Sequence, residues 1–242
     1  MSDPTLLLDK LLDVPRHQSA VSAVRERTAD GWRHHTWQEL QVAVRRAAGA
    51  VPARGSSLRW TAARGADQLI ADLAMQFGGV IGELSSDGEP VGTGNDDAGR
   101  LVRLRQEMRA RDPAVWFDGR VIDQGEVAVR AERACRRLAP RPGLVPEVVL
   151  CTVDARTDQL LGWASVWGGL TLVCGAADDR ENTDPSVWVC TASQWADAKL
   201  TARSPMERLR HTGSRLRRVF VVGAVSGAPP PPPGVEIGTW TL

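Results

Sequence analysis

The sequence predicts an α/β fold with mixed, largely parallel sheets that carry helices on both faces. From residue 147 onward, four Val-rich runs of seven residues follow one another: EVVLCTV, LTLVCGA, SVWVCTA and RVFVVGA. Helical or loop segments separate the runs. Nearer the N-terminus, SLRWTAA, ADQLIADLAMQFGG and VIGEL read as strand, helix and strand. Continuous apolar strands that alternate with helices are typical of parallel sheets covered on both faces.

The N-terminal third contains two further helix signals. The stretch LLLDKLLDV predicts a short amphipathic helix. In HHTWQEL, Thr36 lies three residues before Glu39, which is the spacing of a capping box. The helix that follows has its apolar stripe at Leu40, Val44, Ala47 and Ala48. Residues 85–99 are rich in Gly, Asp and Ser and predict a loop, and GRLVRLRQEMRARD predicts another short helix.

The stretch AVWFDGRVIDQGE (114–126) predicts a β-hairpin followed by a helix. Asp118-Gly119 is the sequence of a two-residue type I′ turn, which joins the strands AVWF and RVI. Asp123 is the expected helix cap, and Glu126 follows three residues later. The buried stripe of this helix is expected at Val127, Ala131, Ala134, Cys135 and Leu138.

Composition and charge exclude several classes of function. A net charge of +1 does not favour nucleic acid or a membrane surface as partner, and no apolar run is long enough to span a bilayer. The four cysteines lack CxxC spacing and are expected to be buried thiols in the cytoplasm. None of the histidines, at 17, 34, 35 and 211, has metal-ligand spacing, so no metal site is expected. The basic run 206–218 lacks interleaved aromatic residues and is expected to be a solvated surface segment.

Several stretches, in chain order, resemble acyl-CoA synthetases and related adenylate-forming ligases. GWRHHTWQELQVAVRRAAGAV is similar to the W-R-x-x-T-W-x-E-L opening of that family, and GWASVWGG is similar to its G-W-x-S-x-W-x-G helix. ADLAMQFGGV, PSVWVCTASQW and LRRVFVVGA also resemble family strands and helices. The resemblance implies the fold of the family's large domain, in one domain over residues 1–242. Its expected parts are an N-terminal βα part (1–113), a strand–helix repeat part (114–228) and a proline-rich tail (229–242).

The departures from the family pattern are informative about catalysis. The family has a Ser/Thr/Gly-rich loop that wraps the phosphates of ATP, at the place where this chain has Asp118-Gly119. The family histidine after the EVVLCTV strand is replaced by Arg156, Thr157 or Asp158. The later Tyr-Gly-x-Thr-Glu segment and the small domain with the catalytic lysine have no counterpart in the sequence. The resemblance therefore implies a truncated, non-catalytic pseudoenzyme with no cofactor.

Three hypotheses about function stay open at this point. The favoured one is a pseudoenzyme that binds a protein partner or forms a homodimer in a lipid or secondary-metabolite pathway. The second is an acyl-CoA ligase or acyl transferase with a rebuilt active site. The third is a module that binds an acyl or CoA-like ligand without chemistry, for which the candidate apolar pocket comprises Trp163, Trp167, Trp195, Gly223 and Ala224.

The tail also bears on assembly. Five prolines at 229–233 make a poor central strand, whereas the residues after them alternate apolar with small or polar side chains. We expect this alternating segment to add a short strand to a partner rather than to its own sheet.

Overall fold

The computed structural model describes residues 4–14, 20–139, 147–176, 183–197, 216–223, 231 and 234–240. Within them the chain forms seven helices: α1 (Leu7–Leu12), α2 (Trp37–Ala47), α3 (Ala66–Gly78), α4 (Arg100–Glu107), α5 (Gln124–Leu138), α6 (Ala155–Gly168) and α7 (Ala192–Asp197). The first six strands are β1 (Ser22–Thr28), β2 (Gly31–Thr36), β3 (Ser57–Thr61), β4 (Ile81–Leu84), β5 (Glu89–Pro90) and β6 (Pro113–Phe117). The other six are β7 (Arg120–Asp123), β8 (Val148–Cys151), β9 (Thr171–Cys174), β10 (Val187–Thr191), β11 (Arg218–Val222) and β12 (Glu236–Trp240).

The four Val-rich runs form β8 to β11 of a seven-stranded sheet, in the order β12-β11-β10-β8-β9-β1-β2. All neighbouring strands of this sheet are parallel except β1 and β2, which are antiparallel. The β1–β2 pair was not predicted. Its strands carry polar or charged residues at most positions, and this hides the apolar alternation on which strand prediction relies.

The second sheet has five strands, in the order β5-β3-β4-β6-β7. Its strands are parallel except for the β6–β7 hairpin at one edge. The two-residue strand β5 lies within the segment predicted as a loop. Two mostly parallel sheets with associated helices confirm the predicted fold class.

Strand side chains divide between separate hydrophobic clusters because neighbouring residues of a strand point to opposite faces. Val149 and Cys151 of β8 belong to a large cluster that also contains core residues of α1, α2, α3, α5 and α6. Val148 and Leu150 belong to a second cluster with Trp188 and Trp195. The large cluster also includes Phe117 and Ile122 from the other sheet, so the two sheets share one core.

The tail corrects one expectation. β12 pairs in parallel with β11 of the same chain, with Phe220 opposite Gly238 and Val222 opposite Trp240. The alternating segment therefore extends its own sheet rather than a partner's. Trp240 is buried, and its ring lies 5.4 Å from that of Phe220. The burial of Trp240 against Phe220 favours the folding back of this segment.

The expected internal boundary at residues 113 and 114 falls inside β6, whose sheet also contains β3 and β4. Likewise β1 and β2 join the sheet built mainly from residues after 147. None of the helices in the described ranges is both long enough and apolar enough to cross a membrane.

Candidate functional site

The turn between β6 and β7 has the geometry that its sequence predicts. Asp118 has φ 51° and Gly119 has φ 77°, and Phe117 pairs with Arg120 across the two-residue turn. Both residues therefore lie in the left-handed region, as a type I′ hairpin requires. A Cβ added to Gly119 would meet no atom within 4 Å, so backbone conformation alone favours glycine there.

The carboxylate of Asp118 is held by two arginines from helices that follow in sequence. Arg130 of α5 donates to Asp118 Oδ2 at 3.1 Å, and Arg156 of α6 donates to Oδ1 at 3.4 Å. Both guanidinium groups also lie over the ring of Phe117, at 5.2 and 5.9 Å from its centroid. These two arginines compensate the charge of Asp118 and link the turn to α5 and α6.

A second carboxylate continues this network along α5. Glu126 pairs with Arg120 of β7 and, at 3.0 Å, with Arg130. The hydrogen bond from Arg120, together with that from Arg130, lowers the pKa of Glu126. Asp123, the last residue of β7, accepts a hydrogen bond from the backbone N–H of Glu126 at 2.7 Å and caps α5. Hairpin and helix therefore form one connected unit, as the cap signals predicted.

Trp163 lies in the core and contacts this unit through Phe117. Its ring centroid is 5.1 Å from that of Phe117, and its indole N–H donates to Asp72 of α3. Asp72 also accepts from Gln159 at 2.6 Å and from Gln76 at 2.8 Å. Burial raises the pKa of Asp72 to about 6, although the three N–H donors oppose the shift.

The described residues of the candidate apolar pocket do not all lie together. Trp163 lies in the large core cluster, whereas Trp195 packs with Trp188 in the cluster on the opposite face of the seven-stranded sheet. Trp167 is half-buried, and Lys10 lies 5.1 Å above its ring. Gly223 is exposed, and Ala224 lies outside the described residues. The seven-stranded sheet itself therefore separates Trp163 from Trp195.

The residues near the expected histidine position all have structural contacts. Asp154 caps α6 by accepting from the backbone N–H of Thr157 at 2.7 Å. Arg156 contacts Asp118, as described above. The buried Asp158 accepts from Arg64 Nε at 2.5 Å, and this hydrogen bond raises the pKa of Arg64.

A polar cluster lies where β1 meets the start of α3. The carboxylate of Glu26 in β1 accepts from the backbone N–H of Ala66 at 2.9 Å, and His35 Nε2 lies 3.1 Å from its other oxygen. Arg33 adds an ion pair at 3.6 Å. Negative charge at a helix N-terminus is stabilised by the helix dipole, so Glu26 joins the first sheet to α3 of the second.

Histidines and cysteines show no arrangement for chemistry in the described residues. His34 and His35 contact Ser22 and Glu26, and the described ranges hold no group of three metal-ligating side chains. His17 and His211 lie outside those ranges, as does most of the basic run 206–218. None of the four cysteines forms a disulfide, and burial raises the pKa of the Cys151 and Cys174 thiols.

Sequence reasoning missed the buried network around Asp72. A signal was present, since Asp72 and Gln76 are four residues apart in a mostly apolar helix, and Gln159 and Trp163 have the same spacing in α6. Residues four apart lie on one face of a helix. Hydrogen-bonding side chains on such faces of two mostly apolar helices indicate that the two helices contact each other there.

The sequence matches no protein-family model and no curated protein. Solved structures do match. CmiS6 matches with a TM-score of 0.63 at 18% identity, over 92% of this chain and 67% of that one. The nonribosomal peptide synthetase FmoA3 matches with a TM-score of 0.67 at 14% identity, over 98% of this chain and 31% of that one.

A third match is a variant of o-succinylbenzoate CoA synthetase from Bacillus subtilis, bound to a product analogue. It has a TM-score of 0.61 at 14% identity and covers 96% of this chain and 55% of that one. The chain thus spans from about a third to about two thirds of the length of these three proteins. At such identities the likeness shows a shared fold.

Proposed function

We propose that this chain, which has the fold of part of the large domain of adenylate-forming ligases, is a non-catalytic protein that binds a protein partner. We place it in the cytoplasm, in a lipid or secondary-metabolite pathway. One observation carries the non-catalytic part. A closed two-residue turn, Asp118-Gly119, stands at the position where the sequence resemblance places the ATP phosphate loop.

The turn is a poor phosphate site for two physical reasons. Phosphate binding by a loop needs several backbone N–H groups that converge on one anion, and a two-residue turn contributes only two amides. The neighbouring cations are also engaged, since Arg130 and Arg156 already pair with Asp118. An incoming phosphate would have to displace this carboxylate, which is covalently part of the turn.

Nucleotide binding and exchange test this proposal. We expect no micromolar binding of magnesium-ATP by calorimetry and no carboxylate-dependent exchange of pyrophosphate into ATP. Exchange above background would instead support the alternative of an acyl-CoA ligase with a rebuilt site. The variant Asp118→Ala separates the two reasons, because gain of ATP binding in it would show that the carboxylate, rather than the short turn, excludes phosphate.

The outer face of the hairpin supports the partner part of the proposal. Trp116 of β6 and Val121 of β7 are cross-strand neighbours, and both are exposed, at 42% and 37%. β7 is the last strand of its sheet in the described residues, so its outer edge is open to pairing. Exposed tryptophan beside an open strand edge is typical of protein-binding surfaces.

Affinity purification from the native host tests the partner proposal. We expect a partner that is retained by the wild-type chain and lost with Trp116→Lys. Val102→Lys is the matched control, because Val102 is equally exposed, at 49%, but lies on α4. Size exclusion with light scattering tests a homodimer in the same way. Equal retention by both variants would remove the hairpin as the binding surface.

A further inference from the structure

A groove of about 410 Å³ lies along α5, on the side that faces α6 and β12. One wall is formed by Arg130, Arg133 and Arg137, at spacings of three and four residues. Its floor includes Ala134, Leu160 of α6 and Trp240 of β12. The volume is within the range of small-molecule sites, and the combination of an apolar floor with a few charged groups is typical of them.

The three arginines differ in the contacts that they make with other residues of the chain. Arg130 is engaged by Glu126 and Asp118. The guanidinium of Arg137 lies 4.8 Å above the ring of Trp240 and donates to the backbone carbonyl of Thr239. Arg133 is exposed and makes no ion pair with any residue that the structure describes. Among the described residues, neither Arg133 nor Arg137 forms an ion pair, and the carboxylate of Glu126, which also lines the groove, is held by Arg120 and Arg130.

Arg133 and Arg137 are four residues apart on one face of α5. Side chains at this spacing are neighbours, and like charges there repel each other. One anion between them would remove that repulsion. Each planar guanidinium presents paired N–H donors that match phosphate or carboxylate oxygens, and the stacking on Trp240 fixes one of them in advance.

The floor beside these cations is apolar and buried. Ala134, Leu160 and Trp240 are each less than a tenth exposed. The indole N–H of Trp240 is buried and has no hydrogen-bond partner in the described part of the chain. Val129 also lines the groove and is 43% exposed, so an apolar body attached to the anion would cover apolar surface that is open to solvent.

We propose that the groove binds a small phosphate monoester whose body is apolar, with the phosphate between Arg133 and Arg137 and the body against Val129. The two negative charges of a phosphate monoester match the two guanidinium groups. The groove shares Arg130 with the network of the hairpin turn, but Arg133 and Arg137 make no ion pair in that network. The proposal stands whether or not the chain binds a protein partner.

Fluorescence titration of the full chain with 2-naphthyl phosphate tests the proposal. We expect saturable binding that is at least tenfold tighter than that of 2-naphthol, inorganic phosphate or AMP. AMP should bind weakly because its ribose hydroxyls would lose water on an apolar floor. Equal binding of 2-naphthol would show an apolar contact only. Equal binding of inorganic phosphate would show an adventitious ion only. Either result overturns the proposal. Equal binding of AMP would also overturn it, and so would a lack of saturable probe binding at millimolar concentration.

Arginine variants locate the binding. Arg133→Ala should weaken 2-naphthyl phosphate binding at least fivefold, and Arg133→Glu should abolish it. Arg136→Ala is the matched control, since Arg136 is exposed on the same helix but pairs with Glu132 outside the groove. It should change the affinity less than twofold. Arg133 is exposed, so its variants should keep the wild-type melting temperature. Equal losses at Arg133 and Arg136 would indicate unspecific attraction and overturn the proposal.

Discussion

Gly119 has a positive φ in open surroundings, which allows strain to be separated from steric conflict. Replacing Gly119 by Val should lower the free energy of unfolding by about 1–3 kcal/mol, because a β-branched residue is disfavoured at this φ. Urea unfolding followed by circular dichroism measures the loss. Gly119→Asn is the control, since asparagine tolerates the left-handed region, and it should cost far less. Equal stability of the Val variant would contradict the type I′ turn.

Asp72 is a buried carboxylate whose three side-chain hydrogen-bond donors among the described residues, Gln76, Gln159 and Trp163, are all neutral. Its pKa is raised from an ordinary 3.8 to about 6, so the folded chain binds this proton more tightly than the unfolded chain. The contribution of Asp72 to stability is therefore complete below pH 3.8 and is lost as the pH rises to about 6. The loss is about 3 kcal/mol.

The variant Asp72→Asn tests this dependence, because it has no titrating group at this position. Urea unfolding at pH 4, 5, 6 and 7 gives the stability of each protein. The stability of the variant relative to wild type should rise by about 2 kcal/mol between pH 4 and pH 7, because the unfolded carboxyl is already partly ionised at pH 4. Other groups titrate in both proteins and cancel in the difference. A difference that is constant with pH would mean that Asp72 is not buried as described.

Among the elements, α5 depends on the strand before it for its N-terminal cap. Asp123 ends β7 and accepts from the backbone N–H of Glu126. Asp123→Ala should cost about 1 kcal/mol of unfolding free energy, because a backbone donor of the first turn loses its partner. Asp123→Asn retains an acceptor and should stay within a few tenths of a kcal/mol of wild type. Thermal and urea unfolding of both variants check this, and equal losses would show that the cap is unimportant.

For the whole molecule, β12 is the outermost strand of the seven-stranded sheet, yet Trp240 is one of its buried residues. Trp240→Ala should lower the unfolding free energy by about 3 kcal/mol, because a large side chain leaves contacts with Phe220 and Arg137. Thr239→Ala is the matched control, since its side chain is exposed and its backbone contact to Arg137 is kept.

Deletion of residues 234–242 extends this test from one residue to the strand. The deletion should destabilise the chain at least as much as Trp240→Ala and should uncover the edge of β11, so light scattering should show self-association. An unchanged melting temperature in the deleted chain would show that β12 does not belong to the folded sheet in solution.

The features that could be read from the amino-acid order are local ones. Alternation or continuity of apolar residues identified β8 to β11, and the Thr36–Glu39 and Asp123 signals identified two helix starts. Asp118-Gly119 identified the hairpin, because a positive φ is a property of the turn residues themselves. Each of these rests on residues within about four positions of one another, where side-chain type directly restricts the backbone.

Other features depend on contacts between distant residues, and only the folded chain could decide them. Trp163 and Trp195 each lie on a helix that follows an apolar strand, yet they lie on opposite faces of one sheet. The connection between two strands decides the face on which its helix packs. Asp118 pairs with Arg130 and Arg156, which lie 12 and 38 residues further along the chain. These pairs compensate its charge, and the local sequence does not predict them. The segment 236–240 likewise pairs with β11, where Trp240 packs against Phe220. No local sequence pattern predicts that these two residues meet.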